Sequence, residues 1–520
     1  MNRATPDSAK AEAPHAEKTY GTILKSSSII GGSQILVYAI GLIKVKLIAV
    51  MLGTAGVGLI GIYNAIIMLS STVTNMGLSN SGVREIATAR SKQDHELVAE
   101  VRLAIFRLAS ILGAIGVIVL ALLSPWVSYW LFGSRDKAVA ISIIGLTLFF
   151  NGFNVAQKAI IQGHRRIGDL ARLSIIAAGI STLLAALLYF YLGEQGIVHA
   201  LVLTSLVGVL IAAYYSRRLT SSPTVRSWGR SVFHCRRLIV VGSAVAWGML
   251  LAQVVPFYAK SLIVTNLGVS ENGLYVAAFA ISGLFANFVL NAMSSDYFPR
   301  LSAVATDPPR MNRLVNEQTE IGILVALPGV VAAFAFAPYI ISILYTDEFF
   351  PATDLLRWFL IGVMAKVVNF PIGMIMLAKG DSKIFAGSQT LVVAIHIAIV
   401  TVLFNRFGLS GAAMAYGLYS ICVSFLYALG AAWIYRFYWS MPVKFLLFYS
   451  VIALSLVALI TYLFSDSGVG SILSGLLIIV VGLLCLRGVL HRVEGHPSLQ
   501  RLAKKYPWVF SKLKIIPSGM

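Results

Sequence analysis

Apolar runs of eighteen residues or more, separated by short polar stretches, recur along almost the whole chain. A run of that length crosses the roughly 30 Å hydrocarbon core of a bilayer as a helix. The pattern predicts transmembrane helices at approximately 23–45, 56–77, 103–131, 138–160, 173–192 and 197–215. A second set follows at 238–266, 273–297, 320–345, 354–378, 384–404 and 411–435, with two more at 444–464 and 471–488. Hairpin loops of four to ten residues are expected between them. The fold class is therefore an all-α polytopic membrane protein of about fourteen transmembrane helices.

The same pattern divides the chain into an irregular N-terminal tail (1–22), a six-helix bundle (23–215) and a basic linker (216–237). A second six-helix bundle (238–435), helices 13 and 14 (436–490) and a basic tail (491–520) complete it. The two bundles read as repeats. Leu52-Gly53 and Gly58-Leu59 recur 215 positions later as Leu267-Gly268 and Gly273-Leu274, and the turn at Gly193–Gly196 recurs at Gly408–Gly411 with the same offset. The turns Gly163-His164-Arg165-Arg166 and Gly380-Asp381-Ser382-Lys383 correspond at 217. An even number of helices per half makes the repeats parallel, about an axis along the membrane normal.

Composition agrees with a bilayer as solvent: 58% of the 520 residues are hydrophobic and 12% charged, against about a quarter charged in soluble domains. The net charge of +20 raises the question of a nucleic-acid partner, and its distribution answers it. Thirty-two basic residues fall on the tails and alternate turns, four (Arg135, Lys137, Arg357, Arg406) on the opposite turns, and five within helices. That asymmetry is the positive-inside signature of cytoplasmic N- and C-termini; a nucleic-acid binder gathers its charge on one folded face. Cys235, Cys422 and Cys485 are too scattered for a disulfide framework or a metal site. The N-terminus lacks the layout of a secretory signal.

The chain shows no phosphate-binding G-x-x-x-x-G-K-[ST] loop and no H-E-x-x-H, and no loop is long enough for a catalytic domain. The expectation is a transporter without cofactor or metal. Lys44, Lys46, Lys158, Lys260 and Lys366 lie within helices, where carboxylates are nearly absent, Asp296 being the nearest. A lysine at the bilayer centre costs about 2.5–3.5 kcal/mol on insertion scales. Lys366 lies 12 residues after Asp354 and 13 before Lys379, about 18 Å from either end, beyond the reach of snorkelling. It is expected to face a polar cavity, with Asn369 on its face. Lys260 shares a stripe with Gln253 and Pro256 on helix 7, and Lys44 has nearly the equivalent place on helix 1. Lys158 is close enough to the turn at Gly163 to snorkel, though its helix also carries Asn151, Asn154 and Gln157. Asn287 and Asn291, four apart on helix 8, are further candidate donors and acceptors. His396 is expected to hydrogen-bond a neighbour. A cationic, carboxylate-poor cavity suits an anionic passenger, whereas a cation exporter needs buried Asp or Glu.

The stretches Leu52-Gly53-Thr54-Ala55-Gly56-Val57-Gly58-Leu59, Met76-Gly77-Leu78-Ser79, Gly82-Val83-Arg84-Glu85, Ile161-Gln162-Gly163-His164-Arg165-Arg166 and Tyr297-Phe298-Pro299-Arg300-Leu301-Ser302 resemble those of Wzx-type O-antigen and exopolysaccharide flippases. This is the polysaccharide-transporter branch of the superfamily that includes MATE exporters and lipid II flippases. The resemblance covers about residues 20–440. It implies two six-helix bundles forming a V around a central cavity, in a bacterial inner membrane, carrying an undecaprenyl-pyrophosphate oligosaccharide outward by alternating access. It also implies the lipid-linked oligosaccharide, membrane lipids and the polymerase and chain-length machinery as partners, and no nucleic acid. Fourteen helices rather than twelve keep a lipid II-type flippase open, and a cation-coupled drug antiporter shares the fold. A polymerase or ligase would need a large extracytoplasmic loop. Related flippases use cavity arginines where this chain offers lysines, so no binding residue carries over by motif.

Overall fold

The computed structural model describes the backbone of residues 8–76, 78–219, 228–464 and 468–492. Most of the expected basic tail 491–520 and the centre of the linker 216–237 lie outside the described residues, as do residues 1–7 and the side chain of Asp296. The chain forms two compact units, Met1–Ser270 and Glu271–Met520.

The first unit contains α1 (Ser8–Asn75), α2 (Leu78–Ser91), α3 (His95–Phe132), α4 (Ala138–Ile144), α5 (Leu146–Gly163), α6 (Ile167–Leu192), α7 (Gly196–Arg217) and α8 (Trp228–Leu267). The second is built from α9 (Val269–Val304), α10 (Pro308–Ala335), α11 (Ala337–Leu344), α12 (Ala352–Ala378), α13 (Ser382–Tyr435), α14 (Met441–Leu463) and α15 (Gly468–Arg492). Among the described residues, eleven helical stretches are long and apolar enough to cross a bilayer. Three of them are divided by a glycine of positive φ, at Gly53, Gly193 and Gly408, into two crossing-length arms, which makes fourteen arms. The large apolar side chains left exposed, such as Trp433 at 93% and Leu122 at 73%, suit hydrocarbon rather than water.

The differences from the expected elements are local. The loops after helices 1 and 11 shrink to single glycines within continuous α1 and α13, because one residue at positive φ is enough to redirect a helix and glycine adopts it without strain. Helix begins at Ser8, inside the expected irregular tail. Expected helix 4 breaks at Gly145, and helix 9 starts at Pro308 and breaks at Phe336. There Asp307 accepts a hydrogen bond from Arg310 N at 3.2 Å with Pro308 following, a start signal that lies upstream of the apolar run.

The repeat is visible in the backbone. Gly53 and Gly268 have φ of 60° and 100°, Gly193 and Gly408 of 55° and 59°, and Arg165 and Gly380 of 58° and 77°. All three pairs are 215 apart, so the third correspondence is Arg165 with Gly380 rather than Gly163 with Gly380 at 217. Glycine identity misled the alignment there, because the left-handed position is held by arginine in the first half.

Packing follows the apolar faces. In the first unit Leu78, Ile86, Val101, Ile105, Ile160 and Leu238 join α2, α3, α5 and α8. In the second, Tyr297, Leu301, Val315, Ile372, Ala431 and Phe437 join α9, α10, α12 and the end of α13. The non-helical segment 436–440, leading to α14, is held by two asparagines of α10. Asn312 donates to Arg436 O at 3.1 Å and accepts from Tyr438 N at 3.2 Å. Asn316 donates to Tyr438 O at 3.0 Å and accepts from Ser440 N at 2.8 Å. One turn on, Glu320 pairs with Arg492 at the end of α15. The four-residue spacing of the two asparagines thus meets residues 436, 438 and 440 of the segment.

Candidate functional site

The polar face of the second unit is built on α12. Gly362, Lys366, Asn369 and Gly373 are spaced 4, 3 and 4 apart, which places them on one stripe. Phe359 lies seven residues before Lys366, on the same stripe. Lys366 is exposed and Asn369 half-buried, although Ala365 and Val367 beside them are buried. The two glycines are notches. A Cβ at Gly362 would collide with the Tyr416 ring, and one at Gly373 would stand 3.2 Å from the Tyr427 ring. Both tyrosines belong to the second arm of α13, so Lys366 and Asn369 lie between them along the groove.

Helix α9 meets α12 at two points on either side of this stretch. At one, Phe359 packs against Tyr275, Phe279 and Tyr416 with ring centroids 5.2, 5.3 and 5.5 Å apart. At the other, Tyr297 donates its hydroxyl to Pro371 O at 2.9 Å. Asn287 is eight residues past Phe279 and Lys366 seven past Phe359, while Asn291 is six before Tyr297 and Lys366 five before Pro371. Exposed Asn287 and Asn291 on α9 therefore share a depth with Lys366 and Asn369 on α12.

The two arms of α13 add three rungs. His396 stacks on Tyr419 with centroids 3.6 Å apart at 8°. Tyr427 donates to Gln389 Oε1 at 2.8 Å, and Tyr435 donates to Asp381 Oδ2 at 2.7 Å. Lys379 lies 5.4 Å from the Tyr435 ring centroid. Asp381 is at the end of the arm, so among the described side chains the middle stretches of α9, α12 and α13 carry a lysine, amides, an imidazole and phenols but no carboxylate. His396 departs from expectation: it makes a ring stack and, among the described residues, no hydrogen bond. Sequence reasoning passed over Gln389, Tyr419 and Tyr427. Their signal was present as polar and aromatic positions seven or eight apart on facing arms.

The other expected residues lie in the first unit. Lys260 Nζ reaches Gly61 O at 3.5 Å, joining α8 to α1. Lys44 on the first arm of α1 and Gln253 on α8 are half-buried. Lys158 is exposed on α5, at the position equivalent to Gly373. Asn151 and Asn154 are the equivalents of Lys366 and Asn369 at the 215 offset. Buried oxygens of Asn154 and Gln157 have no hydrogen-bond partner, so the first repeat is polar at the same level but carries its charge two turns away.

The family described as "Polysaccharide biosynthesis protein" matches residues 47–354, and "Lipid II flippase MurJ" matches residues 257–481. The chain is 23% identical over 413 residues to the lipid III flippase of Escherichia coli strain K12, covering 76% of this chain and 94% of that one. The lipid III flippase of Shigella flexneri matches with the same identity and coverage. An inward-facing multidrug resistance MATE family transporter of the MOP superfamily has a similar fold, with a TM-score of 0.66 at 15% identity over 76% of this chain and 94% of that one. Lipid II flippase MurJ in an inward closed conformation gives a TM-score of 0.65 at 15% identity, covering 90% of this chain and 99% of that one. With more than half of its length so matched, the chain belongs to the polysaccharide biosynthesis protein family, as a multi-pass membrane protein with the fold of these transporters.

Proposed function

We propose that this protein is a flippase that carries an undecaprenyl-pyrophosphate-linked oligosaccharide, an O-antigen or exopolysaccharide repeat unit, from the cytoplasmic to the periplasmic leaflet of a bacterial inner membrane. The observation that carries this reading is Lys366, exposed mid-span on α12, with amides and phenols but no described carboxylate in the middle stretches of α9, α12 and α13. An ammonium in that setting suits a pyrophosphate and disfavours a cationic drug. The apolar tail of such a substrate stays in the bilayer while its head crosses. Family membership and the lipid III flippase relatives support the same class of passenger.

In this reading Lys366, Asn369, Asn287 and Asn291 of the second unit, and Lys44, Lys158, Gln253 and Lys260 of the first, are the residues that bind the substrate's pyrophosphate or saccharide. The six-helix bundles 23–215 and 238–435 alternate access, the termini lie in the cytoplasm, and polymerase and chain-length proteins receive the product. Depleting the protein is expected to accumulate the lipid-linked oligosaccharide, identified by mass spectrometry of lipid extracts. An unchanged pool of lipid-linked saccharides, with altered tolerance to toxic cations, would instead make it an antiporter. The lipid II flippase match over 257–481 favours a second reading, and accumulation of a peptide-bearing cell-wall precursor would select it.

A further inference from the structure

The paired arms of α13 carry more polar capacity than the fold uses. Gln389 accepts from Tyr427 through Oε1, and among the described residues its Nε2 donates to nothing. The His396 nitrogens and the Tyr419 hydroxyl likewise have no hydrogen-bond partner among the described residues, and all four side chains sit at or inside the boundary of half-burial. Within a bilayer-spanning helix pair, polar groups left without protein partners need another occupant.

The first repeat shows that the fold does not require these groups. At the 215 offset, Gln389 and Tyr427 become Ser174 and Ala212, and His396 and Tyr419 become Ser181 and Thr204. Ser174 and Thr204 close back on their own helix, donating to Leu170 O at 2.8 Å and Ala200 O at 2.6 Å. The notches reverse as well: Gly373 faces Tyr427 in the second repeat, whereas Lys158 and Ala212 occupy those places in the first. The second repeat thus carries amide, imidazole and phenol groups, with Lys366, where the first carries serine, threonine, alanine and asparagine.

We infer that Gln389, His396, Tyr419 and Tyr427 form the saccharide-recognition wall of the second unit, taking a hydroxyl-rich pyranose ring next to the charge held by Lys366. A pyranose offers equatorial hydroxyls, which the free polar groups of Gln389, His396 and Tyr419 engage. The two rungs are seven or eight residues apart, about 11 Å along the helix, so both lie within reach of a glycan whose pyrophosphate is near Lys366. This rests on the flippase reading and adds that the second repeat selects the glycan.

The test uses full-length protein in lipid nanodiscs with two probes: bare undecaprenyl pyrophosphate, and the glycosylated lipid isolated from depleted cells. Wild type is expected to prefer the glycosylated lipid by roughly tenfold, the equivalent of one or two hydrogen bonds. Gln389→Ala and Tyr427→Phe are expected to reduce that preference to within about threefold, and Ser174→Ala to keep it. Tyr427→Phe retains the ring in its notch, so it separates loss of recognition from loss of fold. Retention of the wild-type preference by both variants would overturn the inference. Equal affinity of wild type for the two lipids would overturn it too while leaving the flippase reading intact; binding of neither lipid would remove both.

Discussion

Arg165 and Gly380, 215 positions apart, close their turns with the same pair of hydrogen bonds. Arg165 N donates to Gln162 O at 2.8 Å and Arg166 N to Ile161 O at 3.1 Å; Gly380 N donates to Leu377 O at 3.1 Å and Asp381 N to Met376 O at 3.0 Å. Every donor and acceptor shifts by the same 215. The first turn holds an arginine where the second holds a glycine, both left-handed. A side chain costs about 1–2 kcal/mol in that conformation. Arg165→Gly is therefore expected to raise stability by about 1 kcal/mol and Gly380→Ala to lower it by a similar amount, read by thermal unfolding in detergent.

Asn316 holds three backbone groups at once, donating to Asn312 O and Tyr438 O and accepting from Ser440 N. Asn316→Ala leaves those groups without their partner, at a cost of about 1–3 kcal/mol. Faster hydrogen exchange at the Ser440 amide, whose acceptor is lost, is the expected signature. Unchanged protection there would mean that α14 is seated by its apolar face alone.

His164 sits at the C-terminal turn of α5, outside the crossing segments. Burial lowers its pKa below the ordinary 6.5; a hydrogen bond with Ile160 O opposes this, and the charges of Arg90, Arg102 and Arg166 reinforce it. The unfolded chain thus takes up a proton at His164 before the folded one does. Stability is expected to fall as pH drops from 6.5 toward the lowered folded value, and to be flat above 6.5 on this group's account. His164→Gln should remove that slope, measured as melting temperature against pH.

On the proposed function, Lys366→Ala is expected to lower transport by on the order of tenfold or more, with insertion unchanged, through loss of the charged hydrogen bond proposed to the pyrophosphate. Lys366→Arg keeps the charge and should retain a substantial part of the activity. Equal activity of alanine and wild type would remove Lys366 from the substrate path.

The helices were legible because bilayer-length apolar runs leave few alternatives, and the mid-span position of Lys366 because no neighbouring boundary was in reach. The single-glycine turns at Gly53 and Gly408 were not, since a glycine at a helix end looks the same whether it opens a loop or redirects a helix. Tyr419 and Tyr427 were hidden for another reason. An aromatic residue in an apolar span reads as lipid-facing or core, and only the pairing of the α13 arms, with the notch at Gly373, reveals what each ring touches. His396 gave no hint that its partner is a ring face rather than an acceptor.

The most direct test reconstitutes the purified protein in vesicles loaded on one leaflet with the undecaprenyl-pyrophosphate oligosaccharide, and follows access of a membrane-impermeant glycan-modifying reagent to the other leaflet. The account predicts that wild-type protein exposes the glycan across the bilayer and that Lys366→Ala protein does so far more slowly. Glycan that stays on its original leaflet with wild-type protein, at the level of protein-free vesicles, would contradict it.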